Sequence, residues 1–554
     1  MGSNILSIGQ SALAAAQVGI STTGHNIANA STDGYSRQVV TQSANQAQNF
    51  GYGYVGQGTS VASVNRVFNE LLHRQMINSQ SASSAIDTYY SELSTIDDML
   101  SDSTAGLNPA LSTFFSSVKA ASANASDIPT RQTMLSNAQA LVNRLNTMGE
   151  RLSQIQSDVN TQISGNVSSI NSYATQLARL NDTIDKAISI EGNAPNDLMD
   201  QRDQLVLELS KIVKTTVVPQ GAGSYNIFIG NGLPLVVGND SFSLTATTSP
   251  TDSSRTEVGY VSNGNVTILG SQSLSGGSLG GLIEFREESL DATQNQLGQI
   301  SLVLAQTFNE QHQAGFDLNG AAGGDLFTIP DPSTQLRTSY DDGHTPGGAV
   351  LNVTINDATE VLSSDYKMAY DGTNYTITRL SDGTANSYTS LPQTLDGLTF
   401  AIGSGTLATG DEYAIRPTRN IASSIELAIS DVNELALAGS ASTGPSDNTN
   451  ALLLAGLQID TIVQGSTSGS KVTLSSAFAQ LVSNVGNKAN ELKITGESEA
   501  QVLESSTAAM QAESGVNLDE EAANLIRYQQ AYQAAGKMMQ IATQLFEVLL
   551  SLNS

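Results

Sequence analysis

Apolar residues recur every seven positions at both ends of this chain, and that feature constrains the fold more than any other. At the N-terminus Leu6, Leu13, Ile20 and Ile27 stand seven apart with Ala16 between them. This predicts one narrow seam on a helix of about 26 residues. Ser11, Gln17, Ser21 and Thr22 cover its other faces, and Asn29, Asp33 and Gly34 supply turn chemistry at its end. At the C-terminus Leu525, Tyr532, Met539 and Phe546 form one heptad row, and Tyr528, Ala535, Ala542 and Leu549 the row three positions on. Asp519, Glu520 and Glu521 stand in the first turn, where the helix dipole favours acids. A helix over 518–552 would span roughly 50 Å.

Two such seams can satisfy each other as a coiled coil. The N-terminal one buries little besides a single aliphatic row, set against the entropy of ordering the whole helix. Both ends are therefore expected to be disordered in an isolated chain and to fold against neighbouring subunits. The alternative is an ordinary intramolecular helix pair.

The middle changes period. Over 130–189, Leu141, Leu145, Met148, Leu152, Ile155, Val159, Ile163, Ile170, Tyr173, Leu177, Leu180, Ile184 and Ile188 step by threes and fours, with a gap at Asn166. Pro129 suits a first turn and Gly192–Pro195 a stop, so the run predicts a rod on the order of 90 Å long. Helical patterns also cover 67–102, 196–213, 279–314, 421–438 and 475–513. Period two takes over across 215–270 and 350–416, punctuated by Asn231–Gly232, Asp371–Gly372 and Asp396–Gly397, which are hairpin signals. The fold class expected is α+β: a long helical coiled-coil and bundle rod built from both chain ends and central helices, with β-rich insertions forming an outer domain. The terminal unit takes 1–66 and 505–554. The rod takes 67–214, 271–320 and 421–504. The β-rich parts are 215–270 and 321–420.

Charge narrows the partners. Lys and Arg number 24 against 52 Asp and Glu, a net charge of −28. A surface so acidic repels polyphosphate, so neither nucleic acid nor anionic membrane is an expected partner. Residues 1–66 carry net +1 and 505–554 net −3, leaving −26 in the middle. No window approaches the roughly 18 apolar residues of a bilayer span. The first basic residue is Arg37, so no secretory signal is expected. The chain is cytoplasmic, or it leaves by a route without a cleaved signal. Zero Cys excludes disulfides, thiolate zinc sites and Cys nucleophiles.

Catalytic patterns are thin. Gly51, Gly53 and Gly56 match G-x-G-x-x-G, but Gln46, Gln48 and Asn49 precede them where a buried strand is needed, and Val61 follows where a helix should begin; they read as a glycine-rich hairpin. Gly276, Ser278 and Gly280 match G-x-S-x-G, with His312, His344 and Asp291 as conceivable partners. That elbow requires regular strand–helix alternation. Ser278 reads instead as a capping hydroxyl near a helix start, and a serine hydrolase stays as the enzyme alternative. Asp200, Arg202 and Asp203 share one turn, where a solvated or salt-bridged face is commoner than a catalytic pair. The histidines His25, His73, His312 and His344 form no local metal motif. No catalytic residue, cofactor or metal is expected.

Several stretches resemble a known family. Ser11–Leu13, His25–Asn29 and Gly34–Gln38 are similar to the N-terminal signature of flagellar rod, hook and hook-associated proteins, with Asp33 where these commonly carry Pro. Gly515–Ala522, followed by Leu525, Gln529, Tyr532, Ala534 and Ala535, resembles the matching C-terminal signature. Asp200–Leu205, Gly276–Leu282 and Gly315–Gly320 resemble the hook-associated protein 1 family. The resemblance implies a non-enzymatic junction protein exported through the flagellar type III apparatus. It implies a homo-oligomeric ring at the distal end of the hook, with hook protein below and the second hook–filament junction protein above, and a cytoplasmic export chaperone on the C-terminal segment. Terminal helices would form an inner tube. Its expected wall is Leu6, Leu13, Ile20, Ile27, Leu525, Tyr528, Tyr532, Met539, Phe546 and Leu549. A second junction protein or a flagellin-like subunit would share both ends.

Overall fold

The computed structural model describes residues 2–49, 51, 53–102, 106–262, 264–338, 344–465 and 470–551. Its helices are α1 (Gly2–Ala28), α2 (Glu70–Ser101), α3 (Leu107–Ala123), α4 (Ile128–Glu191), α5 (Asn196–Ile212), α6 (Gly277–Glu284), α7 (Asp291–Gln313), α8 (Ile421–Ser424), α9 (Thr449–Gly456), α10 (Leu474–Ser514) and α11 (Leu518–Ser551).

The spine is α4, 64 residues long, or about 95 Å. The Asp127 carboxylate accepts the Thr130 N–H at 3.2 Å, Pro129 fills the first turn, and Gly192 ends the helix at φ 71°, a left-handed conformation glycine adopts freely. Leu141, Leu145, Met148, Leu152, Ile155, Val159, Ile163, Ile170, Leu177 and Ile184 are buried along it. Its polar positions are used too. Asn171 pairs with both backbone groups of Leu244 at 2.8 Å, Asn181 does the same for Tyr225, and Asn160 accepts the Thr256 N–H at 3.0 Å. Three amides thus satisfy strand backbone that would otherwise be buried without partners.

Around this spine α2 lies along α10, and α6 crosses α2 so closely that a methyl group at Gly281 would strike the Ala85 carbonyl. A π turn, Phe285–Leu290, joins α6 to α7 without a break. The first β region is a four-stranded antiparallel sheet in the order Thr215–Pro219, Tyr225–Ile229, Leu233–Val237, Asp240–Ser241. A three-stranded sheet follows, with Thr256–Ser262 at its centre. Farther out, a five-stranded sheet runs Ser333–Leu336, Glu412–Arg416, Tyr366–Tyr370, Tyr375–Arg379, Ala385–Tyr388. A three-stranded sheet centred on Leu398–Ser404 completes that domain. The molecule is α+β, with long helices at both ends and the strands in the middle. One apolar core runs from Ile77 through α4 and both β regions to Leu492, and it leaves out α1 and α11.

Four expectations change. Residues 421–438 are not one helix: after α8 come a short strand, Glu426–Leu427, and a single 3-10 turn, Val432–Glu434, and Ile425, Leu435, Ala436 and Leu437 are buried. The helix α3 was not expected, although Leu107, Leu111, Phe114, Phe115 and Val118 are all buried on one side. Residues Ile5–Ala28 of α1 do have the length and mean hydropathy, 1.2, of a membrane span. That average comes from uncharged small residues and is not a continuous apolar surface. Finally, α1 and α11 pack on each other within one chain, the intramolecular helix pair that stood as the alternative.

Candidate functional site

The α1–α11 seam is built small against large. A methyl group at Gly19 would lie 2.5 Å from the Tyr528 ring, and one at Gly9 would lie 2.8 Å from Met539 Cγ. The buried positions of α1 are Gly9, Ala15, Ala16, Gly19, Thr23 and Asn26, and Gly9–Ala16–Thr23 is a heptad row. On α11 the buried positions are Glu521, Ala535 and Ala542, with Leu525, Tyr528 and Met539 half-buried beside them. Knobs on α11 enter holes left by glycine and alanine on α1.

The residues expected to line the N-terminal wall lie beside this seam. Leu6, Leu13, Ile20 and Ile27 stand three positions before the buried row and are only half-buried, on its flank. The C-terminal set divides. Tyr528 meets α1, whereas Tyr532 and Phe546 are 40% and 50% exposed. Leu549 falls on α11, but its side chain lies outside the described residues. A further row had not been expected: Met538, Ile541, Leu545 and Val548, spaced three, four and three, stand on a face beside the α1 contact and are exposed. So α11 carries one covered stripe and one bare stripe. Their spacing is visible in the sequence, beside two stronger heptad rows.

The pair is seated on the rod by the strap that follows α1. Gly34 takes φ 76°, and a methyl group there would strike the Gln204 side chain at 2.7 Å. Tyr35 donates its hydroxyl to Asn26 at 2.7 Å, the Ser36 N–H donates to Asp200 at 2.9 Å, and the Arg37 N–H donates to the Ser514 carbonyl at 2.8 Å. Burial pushes the Tyr35 phenol well above its ordinary value, which keeps the donor protonated. Beneath the strap Arg66 bridges Asp200 at 2.7 Å and Asp203 at 2.6 Å. Burial pulls the Arg66 guanidinium down, but Asp203 and Asp200 outweigh it and the net shift is upward. Burial raises the Asp200 carboxyl, with Ser36 and Arg66 opposing. The Arg202 guanidinium is fully buried over the Tyr225 ring and donates to the Gly223 carbonyl. The turn read as a solvated or salt-bridged face is therefore a buried ionic anchor.

The other candidates are occupied. Ser278 does not cap: the α6 cap position, Gly276, makes no side-chain bond, and Ser278 Oγ accepts from Asn166 Nδ2 at 3.1 Å. That contact also accounts for the gap in the α4 pattern. His312 is buried with Nδ1 donating to the Gly324 carbonyl at 2.7 Å and Nε2 accepting the Ala436 N–H at 2.9 Å. His344 pairs with Asp411, and Asp291 with Arg255 and Arg419. The Ser–His–Asp grouping is not assembled. Gly51, Gly53 and Gly56 lie within a hairpin between the strands Gln38–Ala44 and Thr59–Arg66. Among the described residues no group of three metal-ligating side chains comes together.

A profile described as flagella basal body rod protein matches residues 6–35, and one described as flagellar basal body rod FlgEFG protein C-terminal matches 508–552. One on each helix of the pair, they place the chain in the rod and hook class of flagellar proteins. Between them, the helical domain of flagellar hook-associated protein FlgK matches 93–327, and the D2-like domain of flagellar hook-associated protein 1 matches 340–417. Flagellar hook-associated protein 1 of Salmonella typhimurium is 37% identical over 563 residues, covering 99% of this chain and 100% of its own length. That of Bacillus subtilis is 24% identical over 570 residues, covering 98% and 96%. The solved flagellar hook junction protein FlgK from Burkholderia pseudomallei superposes with a TM-score of 0.73 at 27% identity, covering 80% of this chain and 100% of its own. The chain belongs to the flagellar hook-associated protein 1 family.

Proposed function

We propose that this chain is a structural subunit of the bacterial flagellum that joins hook to filament as a mechanical adaptor ring. The observation that carries the reading is the division of α11. One stripe is used on α1, while Met538, Ile541, Leu545 and Val548 stay exposed together on a face beside it. A bare apolar row on a long helix suits packing against further copies. The work is load transfer, with no chemical step. Residues 1–66 and 505–554 form the inner unit, 67–214, 271–320 and 421–504 the surrounding rod, and 215–270 and 321–420 the outward β parts. Long helices along the axis resist bending while the interfaces between copies slide.

The partners are copies of this chain, hook protein below and the second junction protein above. Before export through the type III apparatus, without a cleaved signal, a cytoplasmic chaperone holds the C-terminal segment. The bare stripe of α11 suits helix-in-groove capture. The wall residues are Leu525, Tyr528, Tyr532, Met539, Phe546 and Leu549, flanked by Leu6, Leu13, Ile20 and Ile27 of α1. Immunogold labelling of isolated flagella tests the placement: gold confined to a band between hook and filament is expected. Gold along the filament or at its tip would instead mean another axial subunit.

A further inference from the structure

We infer that Asn26 is the register lock of the terminal helix pair, a positioning residue that decides which face α11 turns outward. It is 1% exposed, at the end of α1. Its amide makes four hydrogen bonds to three other parts of the chain. Nδ2 donates to the Gln38 carbonyl at 2.9 Å and to Glu521 Oε2 at 3.0 Å. Oδ1 accepts the Gln38 N–H at 2.9 Å and the Tyr35 hydroxyl at 2.7 Å. The backbone groups of Gln38 fix the amide orientation, because an N–H can only donate and a carbonyl only accept. That leaves Nδ2 facing the Glu521 carboxylate, itself 3% exposed in the first turn of α11.

The rest of the seam cannot supply this specificity. Its buried positions on α1 are small, and on α11 Ala535 and Ala542 are seven apart, so a slip of one heptad keeps alanine at one of those two positions. One such slip would bring Phe546 to the hole that now faces Met539 and Ala535 to the one that now faces Tyr528; the opposite slip would bring Tyr532 and Glu521 to them. Apolar contacts tolerate the first of these shifts. A buried carboxylate bound to a buried amide does not, because slipping takes Glu521 away from the Asn26 donor and leaves Nδ2 with the Gln38 carbonyl alone. A single polar residue in an apolar seam is a known means of fixing register. Moving α11 by a heptad would also carry Met538, Ile541, Leu545 and Val548 along the axis by roughly 10 Å, away from their positions relative to the rod.

The chain has no Cys, so engineered pairs report register cleanly. In dilute full-length protein, Gly9→Cys with Met539→Cys should oxidise to an intramolecular disulfide, whereas Gly9→Cys with Tyr532→Cys or Phe546→Cys should not. Adding Asn26→Leu, which suits an apolar seam, should lower the 9–539 yield at least about fivefold and make a slipped pair appear, with helix content kept. Tyr35→Phe, which removes one of the four bonds and little packing, should give a smaller leak in the same direction. An unchanged 9–539 yield in both variants overturns the inference. So does loss of helix without a slipped product, which would make Asn26 a stability element only. The readout is in the single chain, so it is independent of whether the ring assembles as proposed.

Discussion

Gly19 has no room for a side chain, because its missing methyl group would sit 2.5 Å from Tyr528 Cδ1. Gly19→Leu should separate the terminal helices at that level and destabilise the pair by about 1–3 kcal/mol, as overpacking does. Hydrogen exchange in α1 should rise while exchange in α4 is unchanged, and Tyr528→Ala should restore much of the protection. No rescue would mean the two residues do not meet. The sequence concealed this because hydrophobicity ranks Leu and Ile as the knobs. Which of two neighbouring heptad rows faces a partner depends on the partner's side chains, and here α11 supplies the bulk. His312 and His73 give a second prediction at this scale. Burial is the leading cause that holds both imidazoles below their ordinary value. Their folded pKa values lie below the unfolded ones, so unfolding takes up protons in acid. The stability they contribute is complete above about pH 6.5 and falls as pH drops, by about 1.4 kcal/mol per unit for each histidine until its folded pKa is reached. The rod should therefore melt lower at pH 5.5 than at 6.5. His312→Gln should lower the melt at pH 7.5 and make it less sensitive to acid. A melting temperature flat across that window would contradict the assignment.

At the scale of elements, α11 is the helix with the most unmet surface. Ile541 and Leu545 are 56% and 50% exposed on the face beside the α1 contact. The double variant Ile541→Asp/Leu545→Asp should change the stability of the isolated chain by no more than about 0.5 kcal/mol per site. If the proposed wall forms on this face, it should still abolish filament growth, because two carboxylates packed there could not be solvated. Motility in soft agar and a calorimetric scan read the two effects separately, and normal filaments would remove these residues from any interface. Elements with long regular periods were legible. The α4 pattern at 130–189 becomes Ile128–Glu191, and the 196–213 and 475–513 patterns become α5 and α10 within a residue or two. Segments whose burial is dictated from elsewhere were not. Residues 421–438 have apolar positions compatible with a helix, but Ala428 donates its N–H to Leu326 and Phe316 pairs with Ala438. Those bonds come from distant chain and hold the segment extended. The start of α3 was obscured by Pro109, which reads as a breaker unless it is recognised as sitting in a first turn.

For the whole molecule the decisive joint is the one between outer domain and rod. Three arginines and three aspartates meet there, all at least four-fifths buried. Arg416 reaches Asp252 at 3.0 Å, Arg255 reaches Asp252 at 3.3 Å and also Asp291, and Arg419 reaches Asp291 at 3.2 Å and also Asp365. Arg416 ends a strand of the outer five-stranded sheet and Asp365 immediately precedes another, Asp252 and Arg255 belong to the turn between two strands of the first β region, and Asp291 opens α7. The same turn is tied to the outer domain by backbone: Thr338 donates to the Pro250 carbonyl at 3.0 Å, and Ser253 donates to the Gln335 side chain at 3.2 Å. The six charges balance, so removing one is worse than removing a pair. Arg419→Met leaves three buried carboxylates sharing two guanidinium groups. A broken buried network of this kind typically costs about 3–5 kcal/mol. The loss should fall on the joint, because no residue of the apolar core is altered. Calorimetry should then resolve a lower, separate transition for the outer domain, and trypsin should reach Arg337 and Arg416 under conditions where the parent chain resists. Arg419→Met with Asp365→Asn, which restores neutrality, should recover part of the loss. A single unshifted transition in Arg419→Met would mean that the backbone ties alone hold the outer domain, and that the buried charges do not set its angle to the rod.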